Sequence, residues 1–151
     1  MPVSRAMRRL LQVLEIQEEE CRAAMELARA ELERMEQALT QSRERERGGR
    51  RLVAASAATG EVTDRIAGLE ETRAGKRIAA ALAPRIVEAE AEVNERRREF
   101  LDKRIERRQT ETLIQEAEAE DEIEAGRRAQ RELDDWFLTR SDTPRREPRE
   151  E

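Results

Sequence analysis

The stretch from Met7 to Ser42, MRRLLQVLEIQEEECRAAMELARAELERMEQALTQS, decides the fold because its apolar residues recur in alternating steps of four and three. The steps fall on eleven positions, nine of them apolar or sulfur-bearing: Met7, Leu11, Leu14, Glu18, Cys21, Met25, Ala28, Leu32, Met35, Leu39 and Ser42. A mean spacing of 3.5 residues places such a row on one narrow stripe of a helix, the seam of a left-handed coiled coil. The pattern predicts a long helix covered by a partner helix.

Composition favours extended helices over a compact globule. Of 151 residues 43% are charged and 2% aromatic, and tyrosine is absent. The net charge of −5 gives no general attraction to nucleic acid or to anionic membranes, and no apolar run approaches the ~20 residues of a membrane span. The N-terminus lacks the apolar core of a signal peptide. The single cysteine, Cys21, falls on the seam, where we expect a buried, reduced thiol in a cytoplasmic protein.

A second, weaker apolar stripe follows in the rest of the chain. Its members are Val62, Ile66, Leu69, Ile78, Leu82, Ile86, Val93, Phe100, Ile105, Leu113, Ile123, Leu133 and Phe137. Two stripes of this kind cover each other when the chain folds back on itself. The predicted fold is all-α, a long antiparallel two-helix coiled-coil hairpin.

The expected hairpin has arms of about residues 3–70 and 77–139, joined by a turn near 70–76. In an antiparallel helix pair, the residue numbers of two facing residues add up to the same total at every level. A total of 144 matches apolar residues with one another: Met7 with Phe137, Leu11 with Leu133, Cys21 with Ile123, Leu39 with Ile105 and Ile66 with Ile78. A turn within 48–60 is the alternative, because Gly48, Gly49 and Gly60 interrupt the pattern there. We expect one domain over 1–140 and a disordered tail over 141–151, which holds two prolines and alternating charge.

Catalytic and metal-binding patterns are missing from the sequence. The chain contains no histidine, the usual base near neutral pH and a common metal ligand. Gly75-Lys76 lacks the spacing of a phosphate-binding loop. The carboxylates between Glu116 and Glu124 fan around a continuous helix, so we interpret them as a solvated face. The sequence predicts a non-enzymatic protein with no catalytic residues, no metal site and no cofactor.

Charge banding suggests contacts with another protein. Arg43–Arg51 and Arg96–Arg108 are rich in arginine, and a total of 144 would place them side by side as one basic belt. Glu15–Glu20 and Glu116–Glu124 would likewise form an acidic belt nearer the chain termini. Such belts can be solvated faces or can steer a complementary partner.

The terminal end of the hairpin carries the few bulky residues that the seam does not need. With the turn near 70–76, Trp136 and Phe137 lie opposite Met7, Leu10 and Leu11. Two helices offer too few neighbours to bury both rings, so we expect one ring to face a partner. The candidate partner-binding residues are Arg8, Arg9, Leu10, Arg131, Asp134, Asp135, Trp136 and Phe137.

Two local stretches carry a resemblance to a known family. One is Arg9-Leu10-Leu11-Gln12-Val13-Leu14 leading into Gln17-Glu18-Glu19; the other is Arg127-Arg128 followed by Arg131-Glu132-Leu133-Asp134-Asp135-Trp136-Phe137. With the size and the two-helix pattern, they make the chain similar to the FliJ/YscO stalk proteins of type III secretion systems, which are flagellar or belong to injectisomes.

The resemblance implies a non-enzymatic central stalk whose terminal end inserts into the hexameric secretion ATPase. The hairpin tip would reach the membrane export gate, with secretion chaperones as further partners, at the cytoplasmic face of the apparatus. Some flagellar members of the family contact the gate and chaperones through aromatic residues nearer the tip, whereas this chain has no aromatic residue before Phe100. The residues alone leave two alternatives: a homodimeric structural coiled-coil spacer, or a chaperone or adaptor for secreted proteins.

Overall fold

The computed structural model describes residues 3–141, with side chains through Arg140, as two long helices. Helix α1 is Arg5–Thr59 and helix α2 is Val62–Ser141. The helices pack against each other in antiparallel directions, and residues 3–141 contain no strand. The all-α, two-helix coiled-coil hairpin is therefore confirmed. Residues 142–151 of the expected tail lie outside the described residues.

Caps mark both ends of α1. The Ser4 hydroxyl accepts a hydrogen bond from the Met7 amide at 3.2 Å, which satisfies one of the free N–H groups of the first turn. At the other end Gly60 has φ +75°, and its amide donates to the Ser56 carbonyl at 2.8 Å. Glycine adopts this left-handed conformation without a steric penalty, so it stops the helix cleanly. The chain reverses at Gly60 and Glu61.

The expected turn at 70–76 is wrong, since α2 runs through these residues without interruption. The turn lies at the edge of the alternative range, 48–60. The total of 144 pairs large apolar residues with one another, but such pairs do not set the register of this hairpin. In the structure the helices instead come together around glycines, and Gly75 is a seam residue inside α2 rather than part of a turn.

The described chain divides into two compact units. The first is Ile16–Ile105, which contains the turn, and its register is set by close backbone approach. A Cβ built on Gly49 would lie 2.6 Å from the Thr72 amide nitrogen and 2.6 Å from the Gly68 carbonyl oxygen. A Cβ on Gly75 would lie 2.8 Å from the Glu46 amide nitrogen, and a Cβ on Gly68 would lie 2.9 Å from the Val53 amide nitrogen. In the facing pairs Gly49–Thr72, Glu46–Gly75 and Val53–Gly68 the residue numbers total 121, not 144.

The predicted seam of α1 is confirmed, because all eleven of its positions are buried or half-buried. The row also continues past Ser42, and it includes Glu46, Gly49, Val53 and Ser56.

The α2 seam differs from its prediction. Its covered positions are Gly68, Thr72, Gly75, Ala79, Leu82, Ile86, Ala89, Val93, Arg96, Phe100 and Lys103, followed by Arg107, Thr110, Ile114, Ala117 and Asp121. Leu82, Ile86, Val93 and Phe100 are thus correctly predicted. The other predicted members are exposed: Val62, Ile66, Leu69, Ile78, Ile105, Leu113, Ile123, Leu133 and Phe137. Eleven of these sixteen seam residues are small or polar, and a search for large apolar residues does not find them.

The predicted charge belts are also wrong. Because the numbers of facing residues total 121, the arginine-rich residues 96–105 lie level with residues 16–25. Residues 16–25 include the acidic run Glu18–Glu20. Arg45, from the other basic run, instead donates to Glu71 with Nε–Oε2 at 2.5 Å and Nη2–Oε1 at 3.0 Å. Charges that were expected to form belts for a partner are therefore partly matched within the hairpin.

The second unit comprises the described parts of Met1–Glu15 and Glu106–Glu151. Leu14 and Ile114 are buried in it, and Arg8 Nη2 lies 3.3 Å from Glu118 Oε1. Because α1 begins at Arg5, it covers α2 only as far as about Asp121. Every residue from 122 to 140 is exposed. The last five turns of α2 therefore form a helix without a partner helix in the described chain.

Candidate partner-binding end of the second helix

The exposed end of α2, residues 122–140, carries a cluster of bulky apolar side chains. Leu133, Trp136, Phe137 and Leu138 are between 50% and 66% exposed, within six consecutive residues. In a chain with 2% aromatic residues, such a cluster is unusual. Contiguous exposed apolar surface of this kind marks interaction sites in soluble proteins.

The two rings contact each other. The centroids of Trp136 and Phe137 are 5.1 Å apart with an interplanar angle of 79°, the edge-to-face arrangement that aromatic rings prefer. The guanidinium carbon of Arg140 lies 4.7 Å from the Trp136 ring centroid, in a cation–π contact. Tryptophan and arginine are among the residue types enriched at the energetic centres of binding interfaces.

Several polar contacts at this end join residues of the same helix. Gln130 donates to the Asp134 carboxylate at 3.1 Å, and the Thr139 hydroxyl donates to the Asp135 carbonyl at 2.8 Å. Arg128 lies 3.6 Å from Glu124. The two side-chain pairs at a spacing of four, Gln130–Asp134 and Glu124–Arg128, support an isolated helix by a few tenths of a kcal/mol each. They help to keep residues 122–140 helical without help from α1.

The face of α2 that meets α1 changes character at this end. Continuing the seam beyond Asp121 in steps of three and four gives Glu124, Arg128, Arg131, Asp135 and Leu138, four of which are charged. Glu124, Arg128 and Arg131 also line a shallow depression with Arg127. A charged stripe is poorly suited to a further coiled-coil partner on that face. The apolar residues Leu133, Trp136 and Phe137 lie on the other side of the helix.

The structure divides the predicted site residues into two groups. Arg8, Arg9 and Leu10 lie near Glu118, as the contact between Arg8 and Glu118 shows. Arg131, Asp134, Asp135, Trp136 and Phe137 belong to the exposed end. At ~1.5 Å per residue, Trp136 is ~27 Å further along α2 than Glu118. The expected opposition of Trp136 to Leu10 is therefore wrong, and its cause is the misplaced turn.

One residue of the cluster was missed by the sequence analysis. Leu138 is the most exposed of the four bulky residues, at 66%. Its signal was its position directly after Trp136-Phe137, in a run of three large apolar residues. It was overlooked because it falls outside the expected apolar stripe.

Between residues 3 and 141, no group of three or more His, Cys, Asp or Glu side chains is arranged to hold a metal ion. Neither helix has an apolar stretch of the length needed to cross a membrane, within the same residues. What the exposed end offers is a helical surface for another protein.

These features define a class: an antiparallel two-helix coiled coil whose second helix projects beyond the first. A family model described as Flagellar FliJ protein matches residues 4–143, which is nearly the whole chain. The chain belongs to the FliJ family, and so to the components of flagellar and type III protein export. No curated protein and no solved structure matches the chain.

Proposed function

We propose that the chain is a non-enzymatic central stalk subunit of a type III secretion system. Its exposed α2 end inserts into the hexameric secretion ATPase, and the stalk couples this ATPase to the membrane export gate at the cytoplasmic face of the apparatus. Secretion chaperones are further partners. The observation that carries the proposal is the exposed end of α2, residues 122–140, with its apolar cluster.

A single projecting helix suits a pore of higher symmetry. A six-fold ring cannot match one helix symmetrically, so its subunits must contact different faces of the helix. One face offers Leu133, Trp136 and Phe137, while the other offers Glu124, Arg131 and Asp135. Apolar anchors supply most of the binding energy at an interface, and charges outside them contribute mainly to encounter and specificity. Family membership supports the partner class.

In this proposal the first helix has a different role from the one expected from the sequence. Arg8, Arg9 and Leu10 lie ~27 Å from Trp136 along α2, at about 1.5 Å per residue, so they cannot share one contact patch with it. They lie instead near the start of α1, where α2 continues without a partner helix. In the proposal they reach the ATPase only where the ring surrounds the base of the projecting helix.

The test is a binding and ATP-hydrolysis assay with the cognate hexamer. We expect Trp136→Ala with Phe137→Ala to weaken association about tenfold or more and to abolish stimulation of hydrolysis, since anchors of this kind cost over ~2 kcal/mol when truncated. Helix content should be unchanged because both rings are exposed. Leu27→Ala is the matched control: Leu27 is 72% exposed on α1, far from this end in sequence.

The outcomes separate the parts of the proposal. A wild-type chain that neither binds nor stimulates the hexamer would refute the stalk function. Binding that is equally strong in the double variant would refute only the assignment of the contact to the apolar cluster. Equal weakening by Leu27→Ala would show a general effect of exposed apolar residues.

A further inference from the structure

The outer face of α2 carries a second row of residues in alternating steps of three and four. This row, the outer stripe, consists of Gln109, Thr112, Glu116, Ala119, Ile123, Gly126, Gln130, Leu133 and Phe137, and all nine residues are exposed. Only Glu116 is charged, although 43% of the chain is charged. The seam toward α1 lies on the opposite side of the helix, so one helix presents two coiled-coil stripes.

A stripe with this spacing is the mark of a helix that packs against another helix. The α1 helix cannot cover the outer stripe, because α1 lies on the seam through Ile114 and Ala117 and begins at Arg5. A Cβ built on Gly126 would meet no atom within 4 Å, so the centre of the stripe is open to close approach. The stripe therefore has room and periodicity for one more helix.

The hairpin itself shows how antiparallel helices of this chain match their charges. Its seam pairs total 121, whereas the ion pair Arg45–Glu71 beside the seam totals 116. The ion pair Arg8–Glu118 totals 126, so the flanking pairs of this hairpin occur both five below and five above the total of the core layers. This offset can be applied to the outer stripe.

We propose that the outer stripe binds the outer stripe of a second copy of this chain, antiparallel, with facing residue numbers that total 256. The core layers are then Glu116 with Arg140, Ala119 with Phe137, Ile123 with Leu133, and Gly126 with Gln130, and each layer occurs twice because the pair is two-fold symmetric. Bulky Phe137 meets small Ala119, and the single charged member of the stripe meets an arginine. The flanking total of 261 pairs Arg127 with Asp134 of the other copy, again twice.

Neighbouring registers are less favourable on the same grounds. When the core layers total 249, the flanking pairs total 244 and 254. They place Glu122 beside Glu122, Arg127 beside Arg127 and Glu120 beside Asp134 of the other copy. Charges at these flanking positions decide which helices pair and in which register, and like charges beside each other disfavour a register. A total of 242 removes these repulsions but buries Glu116 against Gly126 with no basic residue in its layer. An unpaired buried carboxylate is costly. Of these three registers, 256 is the one that satisfies both conditions.

The inference does not rest on the proposed function, because it concerns the isolated protein. Self-pairing covers Phe137 and Leu133, so it excludes simultaneous binding of this end in a pore. The core is short and contains glycine and glutamine, which makes the pair reversible. A reversible pair protects the apolar end in the absence of another partner.

The first experiment measures mass against concentration by sedimentation, over about 1–200 µM, the range in which weak pairs dissociate. We expect a reversible monomer–dimer equilibrium. Ile123→Asp should raise the dissociation constant about tenfold or more, whereas Leu27→Asp, on an exposed α1 position, should not. A monomer at all concentrations, or a dimer indifferent to Ile123→Asp, would overturn the proposal.

The second experiment tests the charge pairing. Arg127→Glu should weaken the dimer by placing like charges at both flanking sites, and Arg127→Glu combined with Asp134→Arg should restore it. Both positions are exposed, so the hairpin itself should be unaffected. Failure of the double variant to recover would refute the register.

The third experiment tests direction with one spin label per chain in a Cys21→Ser background. In the antiparallel pair, a label at Ala129→Cys is level with residue 127 of the other copy, only two residues from that copy's own label. The distance between the two labels is therefore short. A label at Gln115→Cys is level with residue 141, which gives a separation of ~39 Å along the axis at about 1.5 Å per residue. Short distances at both positions would show a parallel pair and overturn the proposal.

Discussion

Gly49 occupies a position where the backbones of the two helices nearly touch. A Cβ there would lie 2.6 Å from backbone atoms of both Gly68 and Thr72, whereas a Cβ on the neighbouring Gly48 would meet nothing within 4 Å. Backbone atoms cannot rotate away as the tip of a side chain can. The two adjacent glycines therefore have opposite roles: one permits packing, and the other only weakens the helix.

We expect Gly49→Ala to destabilise the hairpin by about 2 kcal/mol, because overpacking costs more than the gain in helix propensity of about 1 kcal/mol. Gly48→Ala should stabilise it by up to ~1 kcal/mol, because only the propensity term acts. Urea unfolding followed by helical circular dichroism measures both values. Stabilisation by both substitutions would contradict the close approach at Gly49.

Glu71 is a second residue whose behaviour depends on the register. The guanidinium of Arg45 donates two hydrogen bonds to its carboxylate, and these bonds hold the pKa of Glu71 below its ordinary value. At the turn the pKa of Glu61 is instead raised, since its carboxyl shares a hydrogen bond with Asp64. A lowered folded pKa means that the contribution of Glu71 to stability is complete above its unfolded pKa and is lost as pH falls through the folded value.

A pH titration of the Glu71 side-chain carboxyl by NMR should therefore show a midpoint below that of an ordinary glutamate. Arg45→Gln should return the midpoint to the ordinary value, because the cationic donor is removed. Arg47→Gln is the control, since Arg47 bonds Glu44 in its own helix at 2.7 Å. A midpoint of Glu71 that does not respond to Arg45→Gln would mean that the two helices do not pair at this level.

At the scale of the element, α2 explains why the sequence predicted the first helix better than the second. The α1 helix has one stripe, and every position inferred for it is covered. The α2 helix has two stripes. The stripe with the bulkier residues toward the end of the helix, the outer stripe, does not face α1; it includes Ile123, Leu133 and Phe137. Periodicity shows that a stripe exists but does not show which helix covers it. The true seam, with Gly75, Thr110 and Asp121, has too little apolar character to stand out.

Adjacent residues Ile86 and Val87 separate the two environments within α2. Ile86 is 9% exposed on the seam, and Val87 is 64% exposed. We expect Ile86→Ala to lower the free energy of unfolding by about 2–4 kcal/mol through lost contacts and a cavity. Val87→Ala should change it by less than ~0.5 kcal/mol. Denaturant unfolding of the two variants checks this, and equal losses would place both residues on the seam.

At the scale of the whole molecule, the fold class followed from sequence while the register did not. Stripes predicted two helices. One of the rings of Trp136 and Phe137 was expected to be exposed beside α1, and in the structure both are exposed beyond it. The register depends on backbone proximity at Gly49, Gly68 and Gly75, for which a sequence gives no apolar signal. Moving the turn to Gly60 shortens α1 relative to α2, and this difference produces the unpartnered end. The separation of Leu10 from Trp136 follows from the same shift.

Distances between spin labels test the register directly within residues 16–105. In a Cys21→Ser background, the first pair of labels is Arg43→Cys with Ala83→Cys, two exposed positions. They form a flanking pair, five above the core total of 121, and are therefore close together. At ~1.5 Å per residue and an interaxial distance of about 8–10 Å, their backbones should be ~12 Å apart. Arg43→Cys with Leu101→Cys, the pair that a turn at 70–76 would bring level, should instead be ~35 Å apart by the same geometry. Reversal of the two distances would restore the turn at 70–76 and with it the contact of Trp136 with α1.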